Sequence, residues 1–311
     1  MTPLLSVIVT VYNKAPFVKR CVNSALAQSY HNLELIIVDD GSTDNSGALC
    51  DALAARDSRA RVIRQGHMGV TLARLAGTNA ARGEYIHYVD GDDWLEPDME
   101  SALMAALIET GADMAVTGYI DTRGIHHPAG SVPAGTYDRA ALERDVFPYM
   151  MESRGEGTMG LYSSLWTCAA RKGLIAPILR GVDPRIRSGE DGLCLYGAVA
   201  GSRRLAVVGG SYYRYCPNPT SVTARPLPGH FGNLELLMDG YLRSPMAGIP
   251  SIRRQFPNKF WYHVLRGDTL ARRSGKPYSA VEREQRGRVA ARIQALERDT
   301  AILETSIGGV T

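Results

Sequence analysis

No run in this chain approaches the ~18 consecutive apolar residues needed to cross a bilayer. Cysteine is sparse and unpaired. Cys21, Cys50, Cys168, Cys194 and Cys216 are an odd number, far apart and without a CxxC. That pattern argues against a disulfide framework or a thiolate zinc site and suits reduced thiols. The first apolar run, Leu4–Val11, lacks a basic leader and ends in Tyr12-Asn13-Lys14, so it reads as a strand and not as a signal peptide. Internal repeats and low-complexity tracts are also missing. The net charge is only +3, and no nucleic-acid partner is expected. Together these absences suggest a cytoplasmic protein. Peripheral contact with the inner face of the membrane stays open as an alternative.

What is present is an ordinary globular composition, 45% apolar and 22% charged over 311 residues. That length accommodates one large or two modest domains. Charge is uneven, because Ser251–Thr311 carries twelve Lys or Arg against six Asp or Glu. A basic end suits anionic head groups or a phosphorylated acceptor, and equally a set of solvated helix faces.

The first ~120 residues alternate strand and helix patterns at the spacing of a parallel sheet with crossover helices. Strands are expected at Leu4–Val11, Leu33–Val38, Arg61–Arg64, Tyr85–Val89 and Ala112–Gly118. Helices are expected at Phe17–Ala27, with Val18, Cys21, Val22 and Ala25 on one face, and at Val70–Ala81. A further helix should carry Pro97 in its first turn and run to Thr110. Residues 119–165 read as an irregular insertion with a helix around Arg139–Met151, and Leu165–Ala170 resumes strand character. Ser188–Ala200 reads as a helix, Leu205–Val208 with Tyr212–Tyr215 as a hairpin or strand pair, and the chain after Pro226 as helical. The expected division is residues 1–225 and a helical region 226–311, available for acceptor, membrane-surface or dimer contacts.

Two strands end in acids. Tyr85–Val89 runs into Asp90-Gly91-Asp92-Asp93, and Leu33–Val38 into Asp39-Asp40-Gly41-Ser42-Thr43-Asp44. In open α/β sheets ligands bind at the carboxyl ends of strands. Clustered carboxylates there repel one another unless a cation or donors satisfy them. The second segment is equally well a tight turn with a helix cap.

Three stretches in order carry a family resemblance: Ser6-Val7-Ile8-Val9-Thr10-Val11-Tyr12-Asn13; Val38 to Asp44; and Ala81-Arg82-Gly83-Glu84-Tyr85-Ile86 followed by Asp90-Gly91-Asp92-Asp93. Together they resemble family 2 glycosyltransferases, over residues 4–118 and more thinly to 225. The resemblance implies an α/β fold of GT-A (Rossmann-like) type: a mostly parallel sheet flanked by helices, here with a C-terminal helical extension. It implies an inverting, metal-dependent transfer of a sugar from a nucleotide diphospho-sugar to an acceptor hydroxyl, in bacterial glycan or polysaccharide synthesis. Mn²⁺ or Mg²⁺ would be held by Asp92, with Asp90 beside it, and the adjacent Asp93 is a candidate for a diphosphate or acceptor contact. Tyr12, Asp40, Thr10, Arg74, Asp90 and Gly91 would bind the nucleotide. Tyr12 with Asp40 favours a uracil edge, hence UDP over dTDP or GDP. Asp191, in Ser188-Gly189-Glu190-Asp191, resembles the base; Ser188 and Asp191 also have capping-box spacing. Glu190 is a candidate for binding a hydroxyl. Arg214 and Ser221 resemble a loop that closes over the diphosphate.

Trp166 is a candidate for the acceptor site or for the core. Leu75 stands where relatives often have Asn. The acceptor is a glycan, a lipid-linked sugar or a small molecule, and a homodimer is compatible with the C-terminal helices. Two other classes remain open. A sugar-nucleotide nucleotidyltransferase is disfavoured by Asn13-Lys14-Ala15-Pro16, where a Gly-rich basic loop would stand. A non-catalytic nucleotide-sugar-binding module is disfavoured by the presence of both Asp92 and Asp191.

Overall fold

A computed structural model describes residues 2–152, 159–216, 227–275 and 277–308. The first half alternates strand and helix. Strand β1 (Leu5–Val11) is buried at every position, as is β2 (Leu33–Asp39). Parallel strands covered on both faces require such continuous apolar runs. Helix α1 (Val18–Leu26) joins them and buries Val18, Cys21, Val22 and Ala25, the face expected from its spacing. Helix α2 (Ser46–Ala54), β3 (Ala60–Arg64), α3 (Val70–Ala80) and β4 (Tyr85–Asp90) complete a parallel half in the order β3-β2-β1-β4. The Ala81-Arg82-Gly83 stretch serves that half structurally: the Arg82 amide donates to Glu34 at 2.6 Å and the Gly83 amide to Ser6 Oγ at 2.9 Å.

The second half is mixed. A short β5 (Trp94–Leu95) precedes α4 (Met99–Thr110) and β6 (Met114–Ile120). Pro97 lies ahead of α4 and not in its first turn; Asp98 is the capping position, and the Pro97 carbonyl accepts from the Ser29 amide at 2.9 Å. The insertion contains β7 (His126–His127), β8 (Gly135–Asp138) and a brief α5 (Arg139–Ala141) that widens into a π turn over Leu142–Val146. A 3₁₀ turn at Leu165–Thr167 leads into β9 (Cys168–Arg171), so only the second part of the expected strand is extended. Then follow α6 (Lys172–Gly181), α7 (Glu190–Gly201) and β10 (Arg204–Arg214). The expected hairpin at 205–215 is instead this single strand. Its register shifts after Val207, and it is parallel to β6 and antiparallel to β5 and β8. The sheet runs β3-β2-β1-β4-β9-β6-β10-β5, with β7 beside β6 and β8 beside β10.

Alternation along each strand divides the core between two faces. Ile8, Ile36 and Val38 point toward α3, α6 and α7, while Val7, Val9, Leu35 and Ile37 point toward α1, α2 and α4. The C-terminal helices are α8 (His230–Arg243), α9 (Pro250–Arg253), α10 (Phe256–Ser274) and α11 (Ala280–Gly308). Phe231, Leu237, Tyr241, Phe256 and Phe260 are buried in the same core as Ile8 and Tyr88. The region after 226 is therefore packed on the sheet's layer. Among the described residues no helix is long and apolar enough to cross a membrane.

The register levels the strand ends that matter. Thr10 pairs with Val38 on one side and Asp90 on the other. Strand β1 thus lies between β2 and β4, and the crevice opens at the carboxyl ends where the winding reverses.

Candidate active site

The chain turns sharply after β4 because Gly91 allows it. A Cβ there would lie 2.8 Å from the Thr10 carbonyl and 3.2 Å from Val11 Cγ2, and the Gly91 amide donates to that carbonyl at 3.0 Å. No larger residue fits so close an approach.

The three acids that follow have separate partners. Asp90 accepts from Arg74 Nη2 at 3.1 Å. Asp92 accepts from Lys14 Nζ, and Arg20 Nη2 donates to the Asp92 carbonyl at 3.2 Å while its guanidinium lies 3.5 Å over the Trp94 ring. Asp93 faces inward at 1% exposure, accepting from the Tyr213 hydroxyl and the Cys216 amide, both at 2.7 Å. Burial first, then the charges of Asp90 and Asp92, hold the Asp93 carboxyl well above its ordinary range. Asp93 is therefore a buried brace and does not reach the crevice. The cluster's own cations and donors meet most of the electrostatic demand seen in the sequence.

Arg74 is the hub. It lies on α3 with 2% exposure, and its guanidinium contacts Asp90, Asp191, and Glu190 at 3.7 Å. Burial opposes its charge, but Asp191, Asp90 and Glu190 outweigh burial and hold its pKa above the usual value. It was expected on the nucleotide or pyrophosphate side; instead it lies beneath the crevice, committed to carboxylates. Leu75 beside it packs against the core. Through Arg74 the structure brings Asp90 and Asp191 together from distant parts of the chain.

Asp191 lies in the first turn of α7. The capping reading of Ser188 and Asp191 fails: the N-cap is Gly189 at φ +94°, without a side-chain cap, and Asp191 binds Arg74. Among the described residues no donor meets its second oxygen. Glu190, mostly buried, is pushed up to about 8 by burial and by Asp191's charge, with Arg74 opposing. It is largely protonated at neutral pH. Burial, reinforced by Asp191 and opposed by Arg74, also raises Asp90.

On the β1–β2 side, Asp40 is 3% exposed and accepts four hydrogen bonds: from Gln65 Nε2 at 2.7 Å, and from His67 Nδ1 and the Met68 and Gly69 amides at 2.9 Å each. Four donors occupy its lone-pair sites, so the free acceptor expected for a base edge is already engaged. Tyr12 stacks on His67, centroids 3.8 Å apart and planes 13° from parallel.

Arg214, which pairs with Trp94 across the β10–β5 ladder, turns its side chain to Glu96, just past β5, and not to the crevice. Trp166 belongs to the core: it is 7% exposed and stacked on Tyr213 at 4.2 Å. Ser221 lies outside the described residues. Lys14, Arg20, His67 and Tyr213 carry no signal in the sequence, because only tertiary pairing gives them a role.

Among the described residues no group of three or more His, Cys, Asp or Glu is placed to hold a metal alone. Asp90 and Asp92 offer oxygen donors only, and Asp92 already accepts a cation, the Lys14 ammonium. Two carboxylates fit a hard divalent ion that completes its shell with phosphate oxygens and water.

The profile described as "Glycosyl transferase family 2" matches residues 6–132. The uncharacterized glycosyltransferase EpsJ of Bacillus subtilis is 31% identical over 226 residues, covering 73% of this chain. The chain spans 64% of that relative's length. Among solved structures, S. aureus TarS 1–349 in complex with UDP-GlcNAc superimposes with a TM-score of 0.71 at 18% identity, covering 96% of this chain and 83% of that one. The mannosyltransferase PcManGT of Pyrobaculum calidifontis, in complex with GDP-Man and Mn²⁺, gives 0.56 at 15% identity, covering 97% and 87%. These likenesses support the GT-A fold.

Proposed function

From a chain that belongs, through residues 6–132, to glycosyl transferase family 2, we infer an inverting transfer of a sugar from a UDP-sugar to an acceptor hydroxyl, in the synthesis of a glycan or polysaccharide. One observation carries the reading: Arg74 holds Asp90, at the strand end where a diphosphate would dock, beside Asp191, a partly exposed carboxylate.

The geometry supports the following roles. Tyr12 offers the aromatic face for the base, a face on which His67 now stacks. A uracil imide would reach Asp40 by replacing His67, the exposed one of its two side-chain donors. Thr10 and Gly91 form the floor that brings the backbone close to the nucleotide. Asp90 and Asp92 would hold Mn²⁺ or Mg²⁺, which when bound neutralises the diphosphate leaving group. Asp191 takes the proton of the acceptor hydroxyl as that oxygen attacks the anomeric carbon. The bond from that carbon to the diphosphate oxygen breaks, and UDP departs. Glu190, pushed up to about 8, is able to donate to a sugar or acceptor oxygen, and Arg74 orients Asp191. The region after 226 would shape the acceptor side. TarS is solved with UDP-GlcNAc, which makes an N-acetylhexosamine the first donor to try here.

The test is UDP release from UDP-sugars in the presence of acceptors, with Asp191→Asn as control. Asp191→Asn should abolish turnover and leave UDP binding intact; undiminished turnover removes Asp191 as the base.

A further inference from the structure

We propose that Lys14 is a resident counter-ion of Asp92 that a divalent cation displaces, and that the released ammonium then meets the donor's diphosphate. The proposal rests on the reading of Asp90 and Asp92 as the cation site.

The chain takes unusual care to place Lys14. Asn13, before it, is the one non-glycine residue with positive φ among those described, at +52°. That left-handed conformation is disfavoured unless local hydrogen bonds hold it. Here they do. Asn13 Oδ1 accepts from the Thr43 amide at 2.8 Å and the Asp44 amide at 3.3 Å, and the Asn13 amide donates to Ser42 Oγ at 3.0 Å. The Lys14 amide donates to Ser46 Oγ at 2.7 Å, and the Ala15 amide to Asp44 Oδ2 at 3.1 Å. The turn after β1 is thus locked onto the turn after β2, fixing where the Lys14 side chain starts. Its stem passes the Gly91 turn, where a Cβ on Gly91 would lie 3.5 Å from Lys14 Cγ.

The two cations at the site differ in kind. Arg74 is buried among three carboxylates and cannot leave without stranding them. Lys14 is a compact charge on a flexible stem. Among the described residues the hydrogen-bond partner of its ammonium is Asp92 alone, with side chains 19% and 11% exposed. Asp92 is the acid free to exchange partners, since Asp90 is held by Arg74 and Asp93 by Tyr213 and Cys216. A divalent ion binds carboxylate oxygen at about 2.0–2.5 Å, so it cannot share that oxygen with an ammonium. A divalent ion that takes that oxygen, alone or together with Oδ1, expels Lys14. The freed ammonium, still tethered beside Gly91, lies next to the phosphates that would complete the metal's shell. Metal binding without donor is then weakened by the ion pair it breaks, and donor binding recovers the loss by giving Lys14 a new partner. This is positive coupling between the two ligands.

The experiment titrates Mn²⁺ into the full chain and follows free Mn²⁺ by electron paramagnetic resonance, with and without UDP. Lys14→Met should bind Mn²⁺ alone about tenfold more tightly than the wild type, since the metal no longer has to break a partly buried ion pair. The tightening that UDP produces should shrink by a similar factor. Lys14→Gln should repeat the gain, and Lys14→Arg should stay near the wild type. Unchanged or weaker Mn²⁺ binding by both neutral variants overturns the proposal. Asp92→Asn separates the two levels of inference. If it abolishes Mn²⁺ binding while the Lys14 variants match the wild type, only the role of Lys14 fails. If it binds Mn²⁺ as the wild type does, the cation site itself is misplaced and both fail.

Discussion

Replacing Arg74 with methionine should destabilise the fold, and do so more as pH rises. The guanidinium is 2% exposed and serves Asp90, Asp191 and Glu190. Removing one side of a buried pair costs about 3–5 kcal/mol, because the partner charge is left behind. Three carboxylates are left here, and Asp90 and Glu190 already sit above their ordinary pKa with Arg74 in place. Without it, the folded-state values rise further. A carboxyl whose folded pKa is raised binds protons in the folded protein that the unfolded chain lacks, so stability falls as pH rises through the folded value. A tenfold change in a folded-state acidity constant adds about 1.4 kcal/mol to the pH-dependent part. The loss should be largest above pH 8, near the Glu190 value, and smallest near pH 4–5, where unfolded carboxylates also protonate. Urea unfolding of wild type and Arg74→Met at pH 5 and pH 8.5 reads this directly. A second replacement, Asp191→Asn, should restore part of the loss at pH 8.5, since the residues share one network. A defect independent of pH, or none at pH 8.5, would refute the hub.

Three other outcomes follow from individual sites. Glu190→Gln, which mimics the neutral carboxyl, should keep turnover at pH 7 within about threefold and remove a titration near pH 8 from the rate profile; loss of turnover at pH 7 would mean that the ionised form works. His87 is fully buried, with Nδ1 on Glu100 at 2.7 Å and Nε2 donating to the Trp166 carbonyl at 3.0 Å. Burial opposes its charge, but Glu100 and that carbonyl outweigh it and raise its pKa. Its stabilisation is therefore complete below the unfolded value of about 6.5 and lost as pH rises through the folded value; Glu100→Gln should flatten that dependence in thermal melts. Lys259, 6% exposed, is pulled down to about 8 by burial and then by Arg266. A lowered lysine destabilises the fold below that pH, so Lys259→Met should raise unfolding stability at pH 7 by about 1–3 kcal/mol. No gain in denaturant midpoint would contradict the assignment.

The parallel half was legible because its signals are local. Fully buried strands read as unbroken apolar runs, and α1 buries the four residues its spacing marks. The place of Asp90 and Asp92 at a strand end was legible because they follow such a run. The second half defeated local reasoning where tertiary contacts overrode it. Gly209-Gly210 reads as a hairpin turn, but β5, β6 and β8 pair along β10 and keep it one strand through an irregular register and φ +99° at Gly210. Helix α6 contains Pro177, which masks its helical pattern. Asp191 has a cap's spacing, yet the pull of Arg74 places it elsewhere. The partners of the acids were least visible. Lys14 and Asp92 lie 78 residues apart, and Arg74 and Asp191 lie 117 apart. No pattern along the chain encodes those meetings.

The most direct test of the central claim is a donor screen that follows released nucleoside diphosphate, run with Mn²⁺ and with EDTA on wild type and Asp191→Asn. The account predicts acceptor-dependent UDP release by the wild type with Mn²⁺, loss of that release in EDTA, and none from Asp191→Asn despite retained UDP binding. Equal release by Asp191→Asn, or full wild-type release in EDTA, would contradict it.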